Sequence, residues 1–397
     1  MSVGELPIGR RVAQWRLRRR MSQQMFADRI GKSKSWVDKV ERGVRSLDRF
    51  SVIEEIAEVL RVDPVVLLGR EAGPAAPAAG VVDGLDGVRA ALSRYEVFGG
   101  VRPGPTTNEV ARQVGHAWLS YQHAHYPQLV RMLPGLVDVA RRLHARRPDD
   151  GAELLVQAYR ITSSLLVKLG EPDLGWLAAD RAVAVAGGDP VLAATAVVPL
   201  GQALRALGWH RLAMAATVTA AHRVTPVGPG DGSPQQVAVA GALLLQAALA
   251  AAGRGDPHGV TELVARAADL AERGGPGHDR HVLGFGPVAV ELVRVLTTVE
   301  LGRPGDARER HLAVTADPGW RLLPAEHRAG HLLDLARAYL KLGDLAEAGR
   351  LLVEADRTAP AEVRCRPAAR TVVAEVHRDA PDVVGVARLA TAIGLLR

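Results

Sequence analysis

Residues Ser22 to Gly43 read SQQMFADRIGKSKSWVDKVERG. Their spacing predicts two short helices joined by a tight turn. Ser22 stands where its side-chain oxygen can accept a backbone N–H at the start of the first helix, and Ser33 can do the same for the second. Small Ala27 lets the second helix approach closely. Gly31 falls where the chain must bend sharply, a conformation glycine adopts at little cost. In the second helix Val37 and Val40 share one face, and Lys34, Ser35, Asp38 and Lys39 the other. A helix that reads the major groove requires this division, with an apolar face for a core and a short polar face for solvent.

The flanks extend the pattern. IGRRVAQWRLRRR begins at Ile8, and SLDRFSVIEEIAEVLRVDPVVLL ends at Leu68. Taken together, Ile8 to Leu68 resembles the phage-repressor (Xre/Cro-like) helix-turn-helix family, over roughly a sixth of the chain. The resemblance implies a compact bundle of about five helices. It also implies that Gln23 opens the second helix and contacts the DNA backbone, that Lys34, Ser35 and Lys39 reach base edges, and that Ser33, Trp36 and Arg42 complete the DNA-facing set. Trp36 stands where the family usually has a smaller residue or tyrosine. A DNA contact and packing at the domain surface both stay open for it.

Charge points the same way. Residues 1–70 hold fifteen Lys and Arg against nine Asp and Glu, a net of +6 out of +7 for the whole chain. Basic charge gathered in the segment that carries the motif is the footprint of a polyanion binder. The run Arg16 to Arg20 is expected beside phosphates, with Arg16 and Arg18 as backbone contacts. Such contacts give affinity and salt sensitivity, while the second helix of the motif gives sequence preference.

At 397 residues the chain has room for two or three domains. Its 23% charged and 48% hydrophobic residues are ordinary for a globular protein. The apolar stretch Val237 to Ala252 contains Gly241 and Gln246 and reads as a buried helix, so no membrane association is expected. The N-terminus has no signal-peptide pattern. The single cysteine, Cys365, excludes an intrachain disulfide and a cysteine-based zinc site. A cytoplasmic location follows from these features. Plentiful Arg, Ala and Gly with scarce Lys would suit a GC-rich genome.

Three segments emerge: residues 6–70 as the DNA-binding domain, 71–106 as a linker with one helix, and 107–397 as a helical repeat domain. Within the linker, EAGPAAPAAG (Glu71 to Gly80) has no periodic apolar face, and a helix is expected around Leu85 to Phe98. The clearest repeat is LLDLARAYLKLGDLAEAGRLLVEADRTAP, Leu332 to Pro360. Ala336, Tyr339, Gly343, Ala348, Leu352, Ala355 and Pro360 fall at tetratricopeptide spacing. Weaker copies carry Leu169-Gly170, Leu207-Gly208, Gly255-Asp256 and Gly305-Asp306 at their turns. His116 to Leu143 looks like the first helical pair, and Val383 to Leu396 a capping helix. The fold class is therefore all-α, with a repressor-type bundle, a linker, and an irregular tetratricopeptide-like solenoid. Stacked repeats curve and produce a concave groove. The whole architecture resembles bacterial regulators of actinobacterial type whose repeat domain senses a ligand, often a peptide.

Other candidates carry less. His123 and His125, two apart on a helix, would point to different faces. His278 and His281 flank an aspartate in a loop. His327 and His331 are four apart without the glutamate of HExxH, and read as solvated or groove-lining. GPGDG, Gly228 to Gly232, lacks the Lys and Ser/Thr of a phosphate loop. Trp118 and Tyr121 share a face and read as core, and packing is the expected role of Trp176, Trp209 and Trp320. No catalytic constellation, metal site or cofactor is expected.

The sequence thus reads as a transcriptional regulator that binds double-stranded DNA, acts as a homodimer, and uses its repeats to dimerise and to bind a peptide or small-molecule effector. The alternative is a protein-interaction scaffold with only weak or non-specific DNA contact.

Overall fold

The computed structural model describes residues 8–19, 21–45, 47, 50–60, 62, 67, 79–94, 105–228, 231–273 and 283–395. Residues 63–66 and 68–70 at the end of the head, half of the linker (71–78 and 95–104), and His278 and His281 lie outside these residues. The described residues form helices and turns without strands, and the chain divides into two compact units, Met1–Ala75 and Ala76–Arg397.

The first unit, the head, contains α1 (Ile8–Arg18), α2 (Gln23–Arg29), α3 (Lys34–Glu41) and α4 (Phe50–Leu60). Its core gathers Val12, Phe26, Ala27, Val37, Val40 and Ile56, all buried. α1 lies tight on the end of α3. A Cβ at Gly9 would sit 1.9 Å from the Val40 carbonyl oxygen, so glycine is required there by the close approach of the two backbones.

The second unit, the body, begins with α5 (Ala79–Leu92), α6 (Thr107–Gln122), α7 (Tyr126–Arg146) and α8 (Pro148–Lys168). It continues through α9 (Pro172–Ala186), α10 (Pro190–Ala206), α11 (His210–Val224), α12 (Pro234–Gly253) and α13 (Pro257–Arg273). Then follow α14 (Pro287–Glu300), α15 (Pro304–Ala316), α16 (Pro318–Leu322), α17 (Ala325–Leu342), α18 (Leu345–Thr358), α19 (Pro360–Arg364), α20 (Pro367–Asp379) and α21 (Val386–Ala392). Proline opens many of these helices because its missing N–H is one that has no partner in a first turn. Consecutive helices pack as hairpins. The hairpin α17–α18 matches its sequence reading residue by residue. Gly343 takes the left-handed conformation at φ +82°, the Asp344 side chain caps α18, and Ala336, Ala348 and Leu352 are fully buried.

Two features depart from the simplest stacking. α5 was expected near Leu85 to Phe98 as part of a spacer. It instead spans Ala79–Leu92 and packs on α7, burying Leu85, Val88 and Leu92 in the body's main core. Gly84 makes this approach possible, since a Cβ there would meet Val130 at 2.6 Å. The second departure concerns contact range. In a simple helical array each repeat touches only its neighbours. Here the first and last hairpins share one core, from Leu85 to Ile393. A second core forms around α12 and takes in Ala194, Val224, Leu243, Leu263 and Val290. α12 is apolar and long enough to cross a bilayer, yet 72% of its apolar window is buried inside the body, as its sequence suggests for a core helix.

Smaller corrections are local. α6 ends at Gln122, so His123 and His125 sit in the turn, where Ala124 takes φ +56° and the two rings stack at 5.9 Å. The last helix is Val386–Ala392, shorter than expected, because Gly385 turns left-handed (φ +90°) just before it. His331 is buried against His311 rather than solvated. Trp118, Tyr121 and Trp320 are core residues as expected, whereas Trp176 and Trp209 are exposed.

Candidate nucleic-acid interface

The site is built on the caps. Ser22 Oγ accepts from the Met25 N–H at 3.1 Å, and Ser33 Oγ accepts from the Trp36 N–H at 3.1 Å. Each bond satisfies a first-turn donor, worth about 1 kcal/mol. Gly31 takes φ +62° with nothing within 4 Å of where its Cβ would be. Backbone conformation, not crowding, therefore calls for glycine there.

With both ends set, α3 turns Val37 and Val40 into the core and leaves Lys34, Ser35, Lys39 and Arg42 exposed. Ser35, Lys39 and Arg42 lie together along the middle of the exposed face, at spacings of four and three residues. Asp38 bridges to Arg42 at 2.5 Å, but both side chains are well exposed. Such a pair is worth little and yields easily to a phosphate. Trp36 lies at the flank, half-buried against the head core.

The arginine run divides. Arg18 is exposed and stacks on the Trp15 ring at 4.6 Å. Arg16 turns inward and is 7% exposed. Its Nε and Nη2 donate to Glu41 at 2.6 and 2.9 Å, and its Nη1 donates to the Met21 carbonyl at 2.7 Å. The expectation that Arg16 lies beside phosphates is corrected: its guanidinium ties α1 to the end of α3. Gln23 joins the same network by donating to Glu41 at 2.8 Å, so its amide nitrogen also faces the protein. Arg19 donates to the Leu60 carbonyl at 2.9 Å.

One residue escaped the sequence reading. After α3 the chain doubles back, with Gly43 at φ +74° and the N–H groups of Val44 and Arg45 both donating to the Lys39 carbonyl. This return sets the Arg45 guanidinium 5.8 Å from the centre of the Trp36 ring. Arg45 is exposed and adds a cation to the rim of the reading face. The glycine following Arg42 was the available signal for it. Trp36 thus packs on the core with its inner side and carries Arg45 with its outer one.

Residues 7–68 match a family described as a helix-turn-helix domain. No curated protein matches the chain. Among solved structures, Bacillus thuringiensis PlcR in complex with the peptide PapR7 and DNA is similar at 12% identity with a TM-score of 0.36, over 78% of this chain and 94% of that one. The family match covers the head alone. The chain therefore carries a helix-turn-helix domain at its N-terminus, followed by an all-helical body of stacked hairpins.

Proposed function

We propose that the protein is a sequence-specific DNA-binding transcription regulator, acts as a homodimer, and carries in its helical body the dimer contacts and a site for a peptide or small-molecule effector. One observation carries the DNA reading: a capped α3 that turns Val37, Val40 and the Arg16-paired Glu41 inward presents Lys34, Ser35, Lys39 and Arg42 to solvent. Arg18 and Arg45 flank that face as phosphate contacts. One head offers few base contacts, and two heads on a palindromic site double them. An effector acts only by binding one arrangement of the protein better than another.

Binding to the chain's own upstream DNA and to random duplex, measured across a salt series, tests the proposal. Specific binding should exceed non-specific binding by at least about a thousandfold. Lys39→Ala should lose about 1–3 kcal/mol and relax preference at one base position. Equal affinity for both duplexes would sink the regulator reading in favour of a scaffold with incidental DNA contact.

A further inference from the structure

Two tryptophans of the body stay open to water. Trp176 of α9 and Trp209, the residue that opens α11, meet edge to face with ring centres 5.3 Å apart and planes at 81°. Each is about 40% exposed, whereas Trp118 and Trp320, the other tryptophans of the body, are buried. Leu212, one turn beyond Trp209, is 56% exposed and extends the apolar surface. Two indoles at right angles form two sides of a box. The face of an indole is its electron-rich side, so it attracts a cation and not an anion.

The charges around the pair point the same way. Asp173 and Asp180 are exposed, and neither is bonded to another side chain among the described residues. Helical spacing sets both on one side of Trp176, about 60° and 40° around α9 from it. Along the axis they bracket Trp176, about 10 Å apart.

The nearby cations turn elsewhere. Arg181 lies about 140° around α9 from Trp176, on the flank of Leu174 and Val185, which pack on the main core. Arg211 lies about 100° around α11 from Leu212, on the flank of Val218, which packs on the second core. Arg205 donates to Gln246 of α12, and His210 packs against Gly253 at the end of that helix. Arg223 shares the side of Leu212 but stands about 16 Å further along α11. Around the two rings the open charge is therefore negative.

We infer that Trp176 and Trp209 hold an organic cation, an alkylammonium or guanidinium group, with Asp173 and Asp180 as its counter-charge. The apolar part of the ligand lies on the rings and on Leu212. The site gives a chemistry to the effector proposed above, and for that role, though not for the binding itself, it rests on that reading.

The test is calorimetric titration of the full chain at low ionic strength, where exposed carboxylates are least screened. One probe is choline. Its control is the uncharged carbon analogue, in which a tert-butyl group replaces the trimethylammonium. The second probe is a capped tripeptide with arginine at its centre, and its control carries citrulline there. Each cation should bind at least about tenfold tighter than its neutral control. The tighter of the two cations shows whether the group belongs to a small molecule or to a peptide, and either result supports the site. Trp176→Leu keeps an apolar side chain and should remove the preference for charge. Asp173→Asn together with Asp180→Asn should weaken cation binding by about fivefold. Arg211→Ala, on the far flank, should leave it unchanged. Circular dichroism melts check that the variants fold. The Asn pair lies wholly on the surface and carries the test if Trp176→Leu does not fold. Equal binding of charged and uncharged probes, no binding of either cation, or an undiminished preference for charge in Trp176→Leu or in the Asn pair would overturn the inference. The titrations contain no DNA, so failure here leaves the operator experiment untouched.

Discussion

The head and the body dispose of charge in opposite ways. In the head most cations face outward along α3 and its flanks, and one arginine is buried in a two-bond pair with Glu41. In the body a whole cluster lies inside. Lys168 Nζ sits 2.5 Å from Glu326 and 2.6 Å from Glu362, Arg366 donates to Glu362 at 2.6 Å, and the Tyr126 hydroxyl donates to Glu362 as well. These groups come from α8, α17, α19, the start of α7 and the residue before α20, so the cluster joins the first hairpins of the body to the last. Outward charge serves an external partner. Inward charge sets the register between helices far apart in sequence, since a buried ionic group adds little net stability but punishes any arrangement that leaves it unpaired.

The largest expected effect tests the inward half. Glu362 is fully buried and accepts from three groups. Glu362→Ala should therefore cost about 3–5 kcal/mol in denaturant unfolding, because Lys168 and Arg366 are left without it. Burial alone would raise the Glu362 carboxyl, but Lys168 and Arg366 outweigh it and hold the group at about 2. Its folded value lies below the ordinary 4.5, so this stabilisation is complete above about pH 4.5 and is lost as pH falls toward 2. A cost under about 1 kcal/mol would mean that the cluster is wet and sets no register.

Next come the two arginines that the sequence grouped together. Arg16→Ala should cost about 3 kcal/mol, since it leaves Glu41 buried without its partner. Arg18→Ala should cost under about 1 kcal/mol, the scale of an exposed stacking contact with Trp15. It should instead reduce the salt slope of DNA binding by about 1. If the two variants behave alike in both measurements, the inward–outward division of the head is wrong.

What was legible in the sequence follows from range. The caps at Ser22 and Ser33, the turn at Gly31 and the Val37–Val40 face are all set within a few residues, and each stands where the spacing put it. The hairpin at Gly343-Asp344 is equally local. Arg16 was misread because a run of arginines looks uniform, although the spacing of Val12, Trp15 and Arg16 already places it on the apolar stripe of α1. The body's buried cluster had no local signal. Lys168 and Glu362 are 194 residues apart, and only the curl of the whole array brings them together. α5 was read as part of a spacer because it follows EAGPAAPAAG, and Gly84 fell outside the helix expected there. The same Gly84 is what lets it seat on α7. Such close packing is invisible until the partner surface is known.

The last effect concerns a pair that the body buries without charge. His311 Nδ1 lies 3.2 Å from His331 Nε2, the rings stack at 5.3 Å, and the Trp320 ring stands edge-on to His331 at 5.9 Å. Burial pushes His331 down to about 3, with His311 adding to the shift, and pushes His311 down to about 4, with Arg350 adding to it. At neutral pH both rings are uncharged and one donates its N–H to the other. Their folded values lie below the unfolded 6.5, so the unfolded chain takes up protons first as pH drops. Stability is then complete above about pH 6.5 and falls toward pH 4, by about 1.4 kcal/mol per pH unit for each histidine. Denaturant unfolding at pH 7 and 5.5 should show this loss in the native chain, and His331→Phe should remove about half of it. An unchanged midpoint across that interval would mean that the pair is protonated in place and reached by water, against its buried position between α15 and α17.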